Sequence, residues 1–411
     1  MEKNKIFVNT YYQVIGKVVT SLFGFVSTYY LTRYLGGIKF SEYSFIFTFI
    51  GFAAIFADLG FGSLITRNFA TKVKSEESIS DFFTLRLILS IIVSLFSILL
   101  IIFLPYTNTI KIGVAIASFY NISSLLSSIF WAVFQANLDF RKVVISQIVN
   151  SVVFFVLLII GMRLNLFFEF FLFANVVASF AALVISIKLN NSGFNLIEIN
   201  IKKFKKILYK VLPFAGGFIV SVAYFKIDSI LLSFYYNPSF KPDVGLYAIS
   251  YRFFEVVLVF GGFFTQTLYP FFSKNISSEN FSKNVKKYFK YSLAISILST
   301  IFLYFLAKPL VLTLGGDKFI ASYPSLQILS FAGGVTILSG FFLSIALSGF
   351  KEVLLFKFSI IALLINVFLN LLIIPKYSFI GASWTTLITQ SFILIANAFA
   401  AYLVVRKSKN C

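Results

Sequence analysis

Long apolar runs separated by short polar breaks follow one another along the whole chain. Runs of 18 or more residues with few charges have the length of a helix that crosses a bilayer. The pattern predicts about twelve spans, at 8–33, 42–66, 82–104, 110–134, 143–162, 166–188, 211–236, 244–272, 289–314, 323–349, 353–374 and 379–404. The breaks hold Pro, Gly and charged residues, as in "GGIKFSE", "LPYTN", "NPSFKPDVG", "GGDKF" and "IPKYSFIG", which is the chemistry of turns.

Composition agrees with this pattern. The 411 residues are 59% hydrophobic and only 12% charged, with a mean hydropathy of +0.93. Soluble domains carry about 25% charge. The spans leave no room for a folded soluble domain. Lys3 and Lys5 precede an apolar segment that runs to Leu31, too long for a cleaved leader, so it is expected to be a permanent first span. The single cysteine, Cys411, excludes an internal disulfide and a cysteine metal cluster, and it does not sit in a prenylation box. Histidine is absent, which removes the commonest metal ligand and the usual general base. No cofactor or metal is expected.

Lys and Arg set the orientation. The N-terminus and every second connection hold 23 of them, against 8 on the other side (Arg33, Lys39, Lys111, Arg163, Lys241, Lys308, Lys318 and Lys376). Both termini are therefore expected in the cytoplasm. Cations scattered over many short loops also account for much of the net charge of +20, so no nucleic-acid partner is expected. The run "NIKKFKKILYK" (Asn200–Lys210) alternates Lys with Ile and Phe. It reads as an amphipathic segment on the anionic inner leaflet or as an anchor joining two halves.

Six spans lie on each side of that run, so the halves have parallel orientation. The expected fold class is an all-α polytopic membrane protein, with two six-helix bundles (residues 1–200 and 201–411) around a central cavity. Two echoes support a repeat. "SEYSF" and "GLYAI" open spans two and eight, and "FQANLDFRKVVI" and "ALSGFKEVLL" follow spans four and ten.

"TRYLGG", "DLGFGSLITR", "KIDSILLSFYY", "VGLYAISYRFFE" and "GASWTTLITQ" resemble the polysaccharide-exporter branch of the MOP flippase superfamily, over most of the chain. The resemblance implies movement of an undecaprenyl-pyrophosphate-linked oligosaccharide repeat unit from the cytoplasmic to the outer leaflet of the bacterial inner membrane. Alternating access and coupling to H⁺ or Na⁺ would drive it. Membrane lipids and other glycan-assembly proteins are the further partners implied.

A charged side chain at mid-bilayer is costly and marks a substrate or ion route by default. Lys17, Asp58, Lys226, Asp228, Arg252 and Glu255 lie well inside spans. Depth along the helices matches Lys17 with Asp58, Asp228 with Arg252, and Lys226 with Glu255, at about 1.5 Å per residue. Arg86, near the end of its span, is expected to snorkel. Residues i and i+2 of a helix point nearly opposite ways, so Lys226 and Asp228 cannot both face one neighbour. A pyrophosphate needs cations. Lys17, Lys226 and Arg252, with Arg33 and Arg67 at span ends, are the candidate substrate-binding residues. Asp58, Asp228 and Glu255 are candidates for ion coupling or gating. The alternative is that all these charges are static pairs.

The sequence lacks a Walker A pattern and the common zinc-protease and serine-hydrolase motifs. The outer connections are short, which argues against a membrane polysaccharide polymerase. A cation-drug antiporter would favour acids without cationic partners, whereas every deep acid here has a possible cationic partner, which argues against that reading.

Overall fold

The computed structural model describes residues 2–70, 77–190, 194, 199–235, 242–276, 278 and 280–408. Lys72, Lys74, Lys241 and Lys409, counted for the orientation, and the single cysteine, Cys411, lie outside them. The described residues form α1 (Glu2–Asp58), α2 (Phe61–Ala70), α3 (Ile79–Phe103), α4 (Asn108–Ala136), α5 (Phe140–Arg163) and α6 (Phe168–Leu189). Then come α7 (Ile201–Tyr235), α8 (Asp243–Asn275), α9 (Phe281–Gly315), a 3-10 turn (Asp317–Ser322), α10 (Tyr323–Ser348) and α11 (Glu352–Ser408). No strand occurs among them. Among the described residues, eight stretches are long and apolar enough to cross a membrane, and Tyr11–Asp58 and Glu352–Arg406 are each long enough to cross twice.

Helix ends follow the punctuation closely from α3 to α6 and at α8 and α10. Elsewhere the breaks are smaller than expected. Spans one and two run on as α1, kinked at Gly36 (φ 71°, ψ −175°) in "LGG". Spans eleven and twelve run on as α11, kinked at Ser378 (φ 50°, ψ −135°). Span two also stops early. Leu59 (φ 47°) and Gly60 (φ 80°) end α1 at Asp58, and α2 starts afresh.

The chain divides into two compact units, one up to Val222 and one from Ala223 onward. In the first unit, Phe61, Phe82, Ile129, Phe130, Ile207 and Val211 share one core. The capping box of Ser78 and Asp81 starts α3 and satisfies end amides that helical bonding leaves free. The basic run lies at the start of α7, and its apolar face (Phe204, Ile207, Val211) is buried in that core rather than laid on lipid. Lys203 pairs with Asp81 at 3.0 Å, and Lys210 pairs with Glu77. These contacts fix the segment to the first unit.

In the second unit, Phe272, Phe281, Phe341 and Ile345 form a core. Small residues let helices approach closely. A Cβ on Gly334 would fall 2.2 Å from Thr300 Oγ1, and Ser296 donates to the Gly334 carbonyl at 2.7 Å.

The segments after α4 and α10 make the same corner. Asn137, Leu138 and Asp139 donate to the carbonyls of Val133, Gln135 and Phe134, and Gly349, Phe350 and Lys351 donate to those of Ile345, Leu347 and Ala346. The middle residue is left-handed in each, Leu138 at φ 54° and Phe350 at φ 56°.

Candidate functional site

In the first unit the kinked α1 presents Lys17 and Arg33 on exposed positions. Arg33 lies 3.6 Å over the ring of Tyr29 and donates to the Tyr29 carbonyl. Arg67 is exposed in the last turn of α2, where a cation suits the helix dipole. The expected pair of Lys17 and Asp58 does not form. Asp58 stands at the break that ends α1, not in mid-helix, and its carboxylate meets Arg86 Nη2 at 2.9 Å. Arg86 does not snorkel. Its side chain is 1% exposed, and its guanidinium lies 5.5 Å from the ring centroid of Phe61. Burial in the α2–α3 core holds the side chain away from the membrane surface, so the ion pair replaces the water that snorkelling would have reached.

In the second unit α7 carries Lys226 and Asp228, and α8 carries Arg252 and Glu255. The expected pair of Asp228 and Arg252 is also absent. Arg252 Nη1 instead reaches Glu255 Oε2 on its own helix at 3.3 Å, with side chains 42% and 47% exposed. The i, i+3 spacing places both on one helical face, so the local partner wins over a distant one. Lys226 is partly exposed and lies within electrostatic range of Glu255.

Asp228 is 1% exposed and is held by neutral donors. Asn370 Nδ2 donates to Oδ1 at 2.6 Å. The hydroxyls of Thr386 and Tyr247 donate to Oδ2 at 2.7 and 3.0 Å. Asn370 also donates to Asn366 Oδ1 at 3.0 Å, and Asn366 reaches Thr389 Oγ1 at 3.4 Å. The group is drawn from α7, from α8 and from both arms of the kinked α11, so the kink at Ser378 brings Asn370 and Thr386 to one carboxylate. Asn370 Oδ1 and Thr385 Oγ1 are buried oxygens without a hydrogen-bond partner among the described residues. Buried polar groups are normally satisfied, and neutral N–H and O–H donors satisfy this carboxylate without cancelling its charge, which a proton can still cancel.

Charge alone located Asp228 but missed Tyr247, Asn366, Asn370, Thr386 and Thr389. The signals present were two asparagines four apart in the otherwise apolar run Ile360–Ile374, which share a helical face, and "TTLITQ" in the next span.

The profile of the polysaccharide biosynthesis protein family matches residues 6–276. The capsular polysaccharide biosynthesis protein CapF of Staphylococcus aureus is 26% identical over 408 residues, covering 94% of this chain and 97% of that one. Among solved structures, the lipid II flippase MurJ in an inward closed conformation has a TM-score of 0.74 at 15% identity, covering 97% of this chain and 90% of that one. An inward-facing MATE-family multidrug resistance transporter of the MOP superfamily has a TM-score of 0.72 at 13% identity, covering 95% and 96%. These two likenesses establish the fold.

Proposed function

The chain belongs to the polysaccharide biosynthesis protein family, and from that premise we propose that it flips a lipid-linked oligosaccharide by alternating access. The lipid carrier is undecaprenyl pyrophosphate, and the movement runs from the cytoplasmic to the outer leaflet of the bacterial inner membrane, with both termini cytoplasmic. The similarity to a capsular polysaccharide biosynthesis protein and to a lipid II flippase supports this substrate class. No bond is made or broken in this reading.

The observation that carries it is the group of Lys226, Arg252 and Glu255. These charges lie inside helices of a membrane protein, yet the side chains of Arg252 and Glu255 are nearly half exposed. Charged groups at that depth require water or a charged ligand rather than lipid. An aqueous cavity lined by them would offer Lys226 and Arg252 to the pyrophosphate; Lys17, Arg33 and Arg67 are further proposed substrate contacts. Asp228 takes the coupling proton or Na⁺, because its neutral surroundings leave a negative charge for that ion to balance. Asp58, already paired with Arg86, acts as a gate rather than as an ion site.

A second reading, a cation-drug antiporter, is favoured by one observation: Asp228 has no cationic partner among the described residues. Deletion in the native host, followed by mass analysis of lipid-linked intermediates, separates the two. Stranding of a complete oligosaccharide on its carrier supports the flippase; its absence with a gain in drug sensitivity supports the antiporter. Within the flippase reading, Lys226→Gln at normal abundance is expected to strand the intermediate on the cytoplasmic leaflet, and Lys226→Arg to retain more activity. Normal flipping by Lys226→Gln would return that lysine to a structural role.

A further inference from the structure

A second charged feature lies at the junction of α8 and α9. A cavity of about 790 Å³ opens where α8 ends and α9 begins, and Lys283, Lys286, Lys287 and Lys290 line it. Asn275, Asn280 and Asn284 add amide groups to its wall. None of the four ammonium groups has an acidic partner among the described residues. Glu279, in the same connection, lies outside them. Four like charges within eight residues repel one another, and Lys283 stands in the first turn of α9, where the helix dipole disfavours a cation. The arrangement is stabilised when an anion fills the cavity.

An exposed apolar surface adjoins the cavity. Tyr291, 53% exposed, lines it. From Tyr291 an exposed apolar stripe runs along α9 through Ile295, Leu298, Phe302 and Phe305, at the three- and four-residue spacing of one helical face. A ligand with a phosphate at one end and hydrocarbon at the other matches both parts. A soluble anion would match the lysines alone.

We propose that this cavity binds the headgroup of an anionic phospholipid whose acyl chains lie along the Tyr291–Phe305 stripe. Charge-assisted hydrogen bonds from Lys283, Lys286, Lys287 and Lys290 hold the phosphodiester. The site makes the second unit sensitive to the anionic lipid content of the inner leaflet.

Native mass spectrometry of the full-length protein in neutral detergent tests this, with phosphatidylglycerol and phosphatidylcholine as probes. Each lysine near an anionic surface contributes about five-fold in affinity. The double variant Lys286→Gln/Lys287→Gln is therefore expected to retain phosphatidylglycerol at least about ten-fold less well than wild type. Lys286→Arg/Lys287→Arg should keep retention, as should a control of equal charge loss, Lys202→Gln/Lys205→Gln. Should the double variant prove unstable, Lys287→Gln alone is read for its about five-fold loss. Equal retention by the Gln variants and wild type, or equal loss in the control, overturns the site. Displacement of phosphatidylglycerol by inorganic pyrophosphate without competition from added phosphatidylglycerol vesicles would assign the cavity to a soluble anion and overturn the lipid.

Discussion

Asp58 and Asp228 are the same residue type placed inside apolar segments, and the two units treat them in opposite ways. The first unit gives Asp58 a full countercharge, Arg86 at 2.9 Å, and buries the arginine more deeply than the acid. The second unit gives Asp228 three neutral donors and buries the acid almost completely. An ion pair fixes a helix break but leaves no net charge to exchange. A carboxylate solvated by hydroxyls and amides is held in place equally well and still carries a charge that a proton or cation can cancel. The difference lies in the partner and not in the acid.

The largest expected effect comes from breaking the first arrangement. Asp58→Ala leaves Arg86 buried without a countercharge and is expected to destabilise the protein by roughly 3–5 kcal/mol. Thermal unfolding in detergent reads it. Adding Arg86→Met should recover most of the loss, because an apolar side chain of similar length suits that core. If the double variant is as unstable as the sum of the two single changes, the pair does not act as a unit.

A smaller effect is expected around Asp228. Asn370→Ala removes its shortest hydrogen bond and leaves one carboxylate oxygen short of a donor, at a cost of about 1–3 kcal/mol. Asp228→Asn on top of Asn370→Ala should restore stability, since a neutral amide needs less solvation than a carboxylate. If Asn370→Ala alone melts with the wild type, the hydrogen-bonded ring is not what holds Asp228.

The smallest effect belongs to the third acid. Arg252 and Glu255 are exposed and adjacent on one helix, so Arg252→Ala should change stability by only about 0–1 kcal/mol. The same change is expected to impair transport in vesicles loaded with lipid-linked oligosaccharide. A large loss of stability would place Arg252 among the structural pairs and remove it from the proposed route.

Much of this was legible in the sequence. Hydropathy and Pro/Gly punctuation place the ends of α3 to α6, α8 and α10 to within three residues. Gly36 and Ser378 were not legible as single-residue kinks, because a polar break reads the same whether it forms a loop or a bend. The pairings failed for a related reason. Counting depth along straight spans put Asp58 in mid-helix, whereas Leu59 and Gly60 end the helix beside it. That break turns Asp58 towards α3 and Arg86. For Asp228, a search for opposite charges overlooked Asn370 and Thr386, since neutral polar residues in apolar spans read first as packing. The opposed directions of Lys226 and Asp228 did follow from their spacing alone: one is partly exposed and the other is buried.

The matching corners after α4 and α10 bear on ancestry. Their three donors, their acceptors and their left-handed central residue coincide, although Asn137-Leu138-Asp139 and Gly349-Phe350-Lys351 share no residue. Peptide groups alone specify the bend, so the side chains around it are free to diverge. If both halves descend from one duplicated segment, main-chain geometry preserves the kinship longer than the alphabet of residues does. Alignments of the halves are then best anchored on these bends, with the intervening letters allowed to drift.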